Sequence, residues 1–152
     1  MKLAWCAVSG PPEVKTEAVR RLEVIADTYL SVSAPVQHAA PKLFEFRKQF
    51  QPRLKTRLSF NLQELDSQLV AQHDCSRLRV EGGWYVVLRV PAVRSDEDLA
   101  IELMERESVI VHPGHFFDFA QDGYLVLSLM TPVADFKEGV QRVLRFLNDQ
   151  PS

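Results

Sequence analysis

The spacing of hydrophobic positions changes along the chain, and it predicts which segments are strands and which are helices. Residues 2–8 are a short, almost wholly apolar run that Ser9 and Gly10 end. Such a run is typical of a buried strand in a sheet covered on both faces. After Pro11, apolar residues recur at helical spacing, so we predict a helix that ends near Asp27.

The longest periodic stretch follows Pro35. Its apolar residues recur in steps of three or four: Leu43, Phe46, Phe50, Leu54, Leu58, Leu62, Leu65 and Leu69. This pattern predicts a long amphipathic helix over residues 42–73. Pro52 removes a backbone donor inside the pattern, so we predict a kink or a break near Phe50. Residues 28–34 precede a proline and are predicted to be irregular.

The strand signals lie in the last half of the chain. Residues 78–90 have strand composition with a bend at Gly82 and Gly83. A short buried strand is predicted at 109–111 and a further strand at 124–130.

Two helices alternate with these strands. Ser95 and Asp98 form an approximate capping box, which predicts a helix to about Arg106. A last helix opens at Pro132, with an inward face of Val133, Phe136, Val140, Val143, Leu144 and Leu147. The predicted class is therefore α/β, in the order strand, helix and long helix, followed by a β-α-β-β-α block that forms an α+β domain.

Composition narrows the function without identifying it. The 152 residues are 46% hydrophobic and 25% charged with a net charge of −2, which is ordinary for a globular domain and gives no reason to expect nucleic acid or an anionic membrane as partner. Cys6 and Cys75 are far apart and form no paired motif, so we expect reduced thiols, with Cys6 buried in the first strand. Without a membrane span or a secretory signal, the expected location is cytoplasmic.

Four segments together resemble a known family. They are Met1–Trp5, Ser31–Gln37, Glu81–Tyr85, and Val109–Phe116 with the following strand Gly123–Leu129. Their order and spacing resemble the C-terminal part of class I and II aminotransferases, which have the aspartate-aminotransferase fold. The resemblance implies that residues 1–41 are a remnant of the large pyridoxal-phosphate-binding domain. It also implies that 42–73 is the interdomain helix and that 78–149 is the small C-terminal domain.

The resemblance assigns two positions that depart from the family pattern. Lys2 stands where the family has an arginine that binds the cofactor phosphate, and a solvated lysine at a strand end is the alternative. Val126 stands where the family has the arginine that holds the substrate α-carboxylate by two parallel hydrogen bonds. The family's Schiff-base lysine and its pyridine-binding aspartate lie before the opening strand and have no counterpart in this sequence.

The other implied site residues are Tyr29, Ser33, His115 and Phe116. Tyr29 and Ser33 match a segment that approaches the cofactor of the partner subunit, although a loop that caps the next helix is the alternative. His115 and Phe116 match substrate-side pocket walls, and a surface turn packed by aromatic rings is the alternative. No metal site is expected at His112, His115 and Asp118, because three-residue spacing around a Pro-Gly turn does not converge as it does on a helix.

The resemblance implies a function for a larger enzyme. That enzyme transfers an amino group between an amino acid and a 2-oxo acid through pyridoxal phosphate, and it forms a homodimer. This chain is then a fragment that needs the N-terminal large domain, binds no cofactor alone and is inactive alone. One alternative is a stand-alone, non-catalytic α+β binding or assembly domain derived from such an enzyme. Another is a lyase or decarboxylase of the same fold, which Val126 keeps open.

Overall fold

The computed structural model describes residues 3–29 and 32–149. These residues form four α-helices and one four-stranded antiparallel sheet. They divide into two compact units, Met1–Phe50 and Gln51–Ser152. The division falls inside the longest helix.

The first unit contains helix α1, Pro12–Asp27. Pro12 occupies the first helical position, where its missing N–H costs no hydrogen bond. The carbonyl of Pro11 accepts the first helical bond, from the N–H of Lys15 at 2.9 Å. The predicted helix is therefore confirmed, but none of its residues is buried.

The predicted buried strand at residues 2–8 is wrong over its described part. Residues 3–8 have no regular structure, and Trp5 is 67% exposed. Cys6, which we expected to be buried, is also exposed. A strand needs a neighbour for its backbone N–H and C=O groups, and none of the described strands pairs with this segment. The apolar composition of this segment does not specify a pairing strand, so it was not sufficient to predict a strand here.

The long helix α2 spans Ala34–Leu69. It begins eight residues before the expected start at 42, because Pro35 lies in the first turn, where no donor is required. The Ser33 carbonyl accepts bonds from the N–H groups of Val36 and Gln37 there. The helix continues through Pro52, so the predicted break is absent and the kink stays a prediction.

The second unit is an α+β layer pair, and its element order confirms the predicted fold class. Its strands are β1 (Ser76–Arg77), β2 (Tyr85–Arg89), β3 (His112–Pro113) and β4 (Tyr124–Ser128), and its helices are α3 (Asp96–Glu107) and α4 (Val133–Asn148). The sheet order is β1-β2-β4-β3, and every neighbouring pair is antiparallel.

Strand positions differ from the sequence predictions in detail. Residues 109–111 are not a strand; pairing occurs at His112 and Pro113 instead, and Ile110 is 79% exposed. The predicted strand 78–90 is reduced to β2, because Gly83 has a φ of +78° and turns the chain just before it. The edge strands β1 and β3 have only two residues each.

One face of the sheet carries the core of the second unit. The core consists of Leu65, Cys75, Val86, Leu88, Val90, Leu99, Leu103, Val111, Leu125, Leu127, Leu129, Phe136, Val140, Val143, Leu144 and Phe146. The inward face predicted for α4 is confirmed except at Val133, which is 43% exposed. Burial raises the pKa of the Cys75 thiol to about 11.

Candidate functional site

The other face of the sheet is the candidate site, and we call it the outer face. Side chains alternate along a strand, and residues directly opposite in an antiparallel pair point the same way. Because Val86, Leu88, Leu125 and Leu127 belong to the core, the alternate residues lie on the outer face. They are Tyr85, Val87, Arg89, Tyr124, Val126 and Ser128, together with His112, which pairs with Val126.

Val126 lies at the centre of the outer face. It is directly opposite Val87 on one side and His112 on the other. Its side chain is only 1% exposed, although it is not part of the core cluster on the opposite face. Val126, to which the resemblance assigns the place of a carboxylate-binding arginine, is therefore a buried apolar residue between two neighbouring strands.

Aromatic rings cover one end of the outer face. The 3-10 turn Gly114–Phe117 follows β3 and places the Phe117 ring near side chains of β2 and β3. The Phe117 ring lies 5.4 Å from Tyr85 on β2 and 6.0 Å from His112 on β3. These strands flank β4, so Phe117 spans the sheet beside Val126.

The predicted site residues fall into three groups. His115 and Phe116 lie in the 3-10 turn with ring centres 4.8 Å apart, and Phe116 is 6.2 Å from His112, the neighbour of Val126. The structure therefore brings His115, Phe116 and Val126 into one region.

The remaining predicted residues are elsewhere in the chain. Tyr29 is 74% exposed, Ser33 is exposed, and both belong to the first unit. Lys2 lies outside the described residues. Their implied roles toward the cofactor stay predictions.

Asp96 holds this region together, and the sequence patterns did not single it out. Its carboxylate is 2% exposed and accepts hydrogen bonds from the backbone N–H groups of Gly114 (3.3 Å), Gly123 (2.7 Å) and Tyr124 (3.1 Å). It thus fixes the start of the aromatic turn and the start of β4 against the first turn of α3. Its partners are 18 to 28 residues away, so no local motif reveals them.

Close packing at Gly114 follows from the same arrangement. A Cβ atom at this position would lie 2.9 Å from both the Asp96 Oδ2 and the Tyr124 Cβ. Real Cβ atoms do not approach other atoms so closely. Only glycine therefore allows the turn to sit against Asp96.

Two further properties of the described residues bear on the site. Among them, no three histidine, cysteine, aspartate or glutamate side chains converge as a ligand set for a metal ion. None of the described helices combines the length and the apolar character needed to cross a bilayer.

Comparisons with known proteins give a consistent family. The family model for "Aminotransferase class I and II" matches residues 2–143. None of the curated protein sequences matches the chain significantly.

Several solved structures share the fold. An aminotransferase from Escherichia coli is similar with a TM-score of 0.73 and 18% identity, over 94% of this chain and 37% of that one. The aspartate aminotransferase from Thermotoga maritima gives 0.68 and 24%, over 91% and 34%. LysN, the α-aminoadipate aminotransferase from Thermus thermophilus, complexed with N-(5'-phosphopyridoxyl)-L-leucine, gives 0.66 and 22%, over 87% and 36%. The chain spans about a third of the length of each of these proteins.

Proposed function

The chain belongs to the class I and II aminotransferase family, and from this premise we propose that it is the C-terminal part of a pyridoxal-phosphate-dependent aminotransferase. In that enzyme an amino group passes between an amino acid and a 2-oxo acid. The observation that carries the proposal is the family match over residues 2–143, nearly the whole chain.

Within the proposed enzyme, the outer face forms the substrate-side wall. His115, Phe116 and Phe117 form an exposed aromatic turn beside Val126, and Asp96 accepts a hydrogen bond from the backbone N–H of Gly114 at the start of this turn. Rigid support of this kind is what a binding surface requires, because a loosely held wall does not orient a ligand. Residues 78–149 are then the small domain, 42–73 the interdomain helix and 1–41 a piece of the large domain.

The described residues do not fit the cofactor itself. Pyridoxal phosphate is held covalently by a lysine in a desolvated site and acts there as an electron sink. The described lysines are all exposed: Lys15, Lys42, Lys48, Lys55 and Lys137. We therefore assign no cofactor step to this chain, and we propose that the chain alone is inactive. The large domain would supply the missing groups.

The first unit exposes large apolar side chains, which favours a partner surface that covers them. Val14, Ile25, Phe46 and Phe50 are between 52% and 65% exposed. Removing such side chains from water by contact with a partner is favourable. In the proposed enzyme the large domain and a second copy in a cytoplasmic homodimer would cover them. The same exposure also supports the alternative, a stand-alone binding or assembly domain without catalysis.

Val126 supports a second alternative within enzymes. Its apolar side chain offers no bidentate contact to a carboxylate at this position. A lyase or decarboxylase of the same fold is therefore the other candidate chemistry.

The test uses the native polypeptide that contains residues 1–152. We expect its mass to exceed that of this chain, its spectrum to show bound pyridoxal phosphate, and amino groups to pass from amino acids to 2-oxoglutarate or pyruvate. The separately produced 152-residue chain is the control and should show neither cofactor absorbance nor turnover.

Each other result has a definite meaning. A native polypeptide without cofactor and without turnover would contradict the proposal and favour the binding domain. Release of an amine and carbon dioxide would indicate a decarboxylase. Turnover by the 152-residue chain alone would disprove its inactivity.

A further inference from the structure

A cleft opens between the segment 108–111 and helix α4, on the core side of the sheet, and its volume is about 210 Å³. We propose that this cleft binds a small organic cation, which carries an ammonium group on a compact apolar body. The proposal adds a ligand site to the chain and does not rest on the aminotransferase activity. The lining that carries it includes Ser108, Leu127, Asp135, Phe136, Gly139 and Val140.

The cleft exists because strand pairing begins only after this segment. β3 pairs with β4 at His112 and Pro113, and residues 109–111 have no strand structure. Val111 is nevertheless buried in the core, whereas Ile110 is exposed at the surface. The segment therefore forms one wall of an opening beside α4 instead of a closed edge of the sheet.

The opposite wall is one face of α4, and this face lacks a side chain beside the cleft. Asp135, Gly139 and Val143 follow one another at intervals of four residues, so they lie along the same side of the helix. A Cβ added at Gly139 would have no atom within 4 Å. Glycine inside a helix is unfavourable, because it loses more backbone entropy on folding than any other residue. The helix therefore gives up stability at the position where the space stays open.

The start of the segment 108–111 shows a related choice of residue. Ser108 ends α3 with a φ of 55°, in the left-handed region that glycine adopts most easily. Serine at this position adds a hydroxyl group to the lining of the cleft. Glycine thus stands in the helix where the cleft needs space, and serine stands in the turn where the cleft gains a polar group.

Asp135 supplies an uncompensated negative charge. It is exposed, and within residues 3–29 and 32–149 no cation forms an ion pair with its carboxylate. Arg142, further along α4, instead donates to the carbonyl of Glu107 at 2.8 Å and pairs with Glu138. A carboxylate attracts an ammonium group, and the apolar lining favours the burial of a hydrocarbon body.

The size of the cleft limits the ligand. Sites for drug-sized molecules have volumes of about 300–1,000 Å³. A cleft of about 210 Å³ therefore fits a single small ring or a branched alkyl group. Ligands of this size bind weakly, so the measurement has to detect millimolar affinities.

The test is an isoleucine-methyl NMR titration of the full-length polypeptide that contains this chain. The probe is N-methylpiperidine, which is cationic at neutral pH and, as a tertiary amine, forms no Schiff base with pyridoxal phosphate. We expect it to shift the methyl signal of Ile110 in the cleft wall and to leave that of Ile101 on α3 unchanged. Cyclohexanol, a neutral ring of similar size, should bind at least about 3-fold more weakly.

Two substitutions test the charge and the space separately. Asp135→Asn should weaken binding of the cation about 3- to 5-fold and leave cyclohexanol binding unchanged, because an exposed ion pair contributes little. Gly139→Leu should weaken binding of both probes at least about 10-fold by filling the cleft. Leucine is a good helix former, so this variant should stay folded, which circular dichroism checks. The matched control is Asp149→Asn at the end of α4, which should change neither affinity.

The contrary results are equally definite. The site is disproved if the cation does not shift the Ile110 signal, if Gly139→Leu retains the shift, or if cation and alcohol bind equally. An equal response of Asp135→Asn and Asp149→Asn would also contradict it. An enzyme that transfers amino groups but does not bind the cation would keep the proposed function and lose only this site. A protein that binds the cation in the cleft but transfers no amino group would do the reverse.

Discussion

Asp96 shows how one buried side chain can set the geometry of a whole surface. Its carboxylate accepts hydrogen bonds from three backbone N–H groups in two separate turns, and it is 2% exposed. Hydrogen bonds to a charged group are stronger than neutral ones, and a buried donor without a partner is costly. The aromatic turn of the outer face therefore depends on this residue.

Replacing Asp96 by asparagine should destabilise the chain, because the amide NH₂ cannot accept bonds from the N–H groups that face it. We expect Asp96→Asn to lower the free energy of unfolding by about 2–4 kcal/mol, measured by urea denaturation at neutral pH. Glu97→Gln, on the exposed side of the same helical turn, is the control and should change that energy by less than about 0.5 kcal/mol. A loss below about 1 kcal/mol in Asp96→Asn would contradict the anchoring role.

Two glycines should respond oppositely to the same substitution. At Gly114 an added methyl group would meet Asp96 and Tyr124 at 2.9 Å, whereas Gly139, inside α4, has no atom within 4 Å of the added Cβ. We expect Gly114→Ala to lower the free energy of unfolding by about 1–3 kcal/mol through overpacking. Gly139→Ala should raise it by about 0.5–1 kcal/mol, because alanine loses less entropy in a helix.

Thermal and urea denaturation of the two glycine variants give the comparison directly. Equal free energies of unfolding for Gly114→Ala and Gly139→Ala would mean that the turn moves away from Asp96 at little cost. The outer face would then be more adaptable than its hydrogen bonds indicate.

At the scale of elements, the ion pair of Asp66 and Arg77 joins α2 to the edge strand β1. The Arg77 Nε lies 2.5 Å from Oδ1 of Asp66 and its Nη2 lies 2.9 Å from Oδ2. These hydrogen bonds, with the positive charge, hold the pKa of Asp66 below its usual value. The contribution to stability is therefore present above the unfolded-state pKa of about 3.9 and is lost as pH falls through the lower, folded-state pKa.

The change Asp66→Asn should remove this pH dependence. Between about pH 5 and pH 2 we expect wild type to lose more unfolding free energy than the variant, by a few tenths to about 1 kcal/mol. The amount is small because the Asp66 side chain is 45% exposed. Urea denaturation at several pH values measures it, with the exposed Asp74 as control through Asp74→Asn. Parallel pH profiles for wild type and Asp66→Asn would show that the pair contributes nothing.

Helices were easier to predict than strands, for a physical reason. Ser95 accepts the bond from the Asp98 N–H that the capping box predicts, and α4 buries Phe136 and Val140 as its spacing predicts. Both signals are local. The apolar run at residues 2–8 failed because a strand depends on partners that its own sequence does not specify.

In the candidate site too, residues in recognisable sequence segments were predicted, whereas a residue that acts through distant contacts was not. The resemblance assigned His115, Phe116 and Val126, and the structure brings these three into one region. Asp96 was missed, because it acts through residues far along the chain.

At the scale of the whole molecule, the two units differ in how much they bury. The sixteen core residues all belong to Gln51–Ser152, whereas Val36 is the one buried hydrophobic residue in the described part of the first unit. The apolar stripe of α2 follows this division: Phe46 and Phe50 are exposed, and Leu65 is fully buried. Local stability follows buried contacts, so the units should open with different free energies.

Hydrogen exchange of the isolated 152-residue chain should reveal this difference. We expect the amides of α1, which buries no residue, to exchange at least about 10³-fold faster than those of β4 and α4, because an isolated helix of this length is marginal in water. The control is the same measurement on the full-length polypeptide, in which a covering surface should slow exchange in α1 and leave β4 nearly unchanged. Equal protection of α1 and α4 in the isolated chain would contradict the prediction. The first unit would then be stable without any partner, and its exposed apolar side chains would no longer argue for a covering domain.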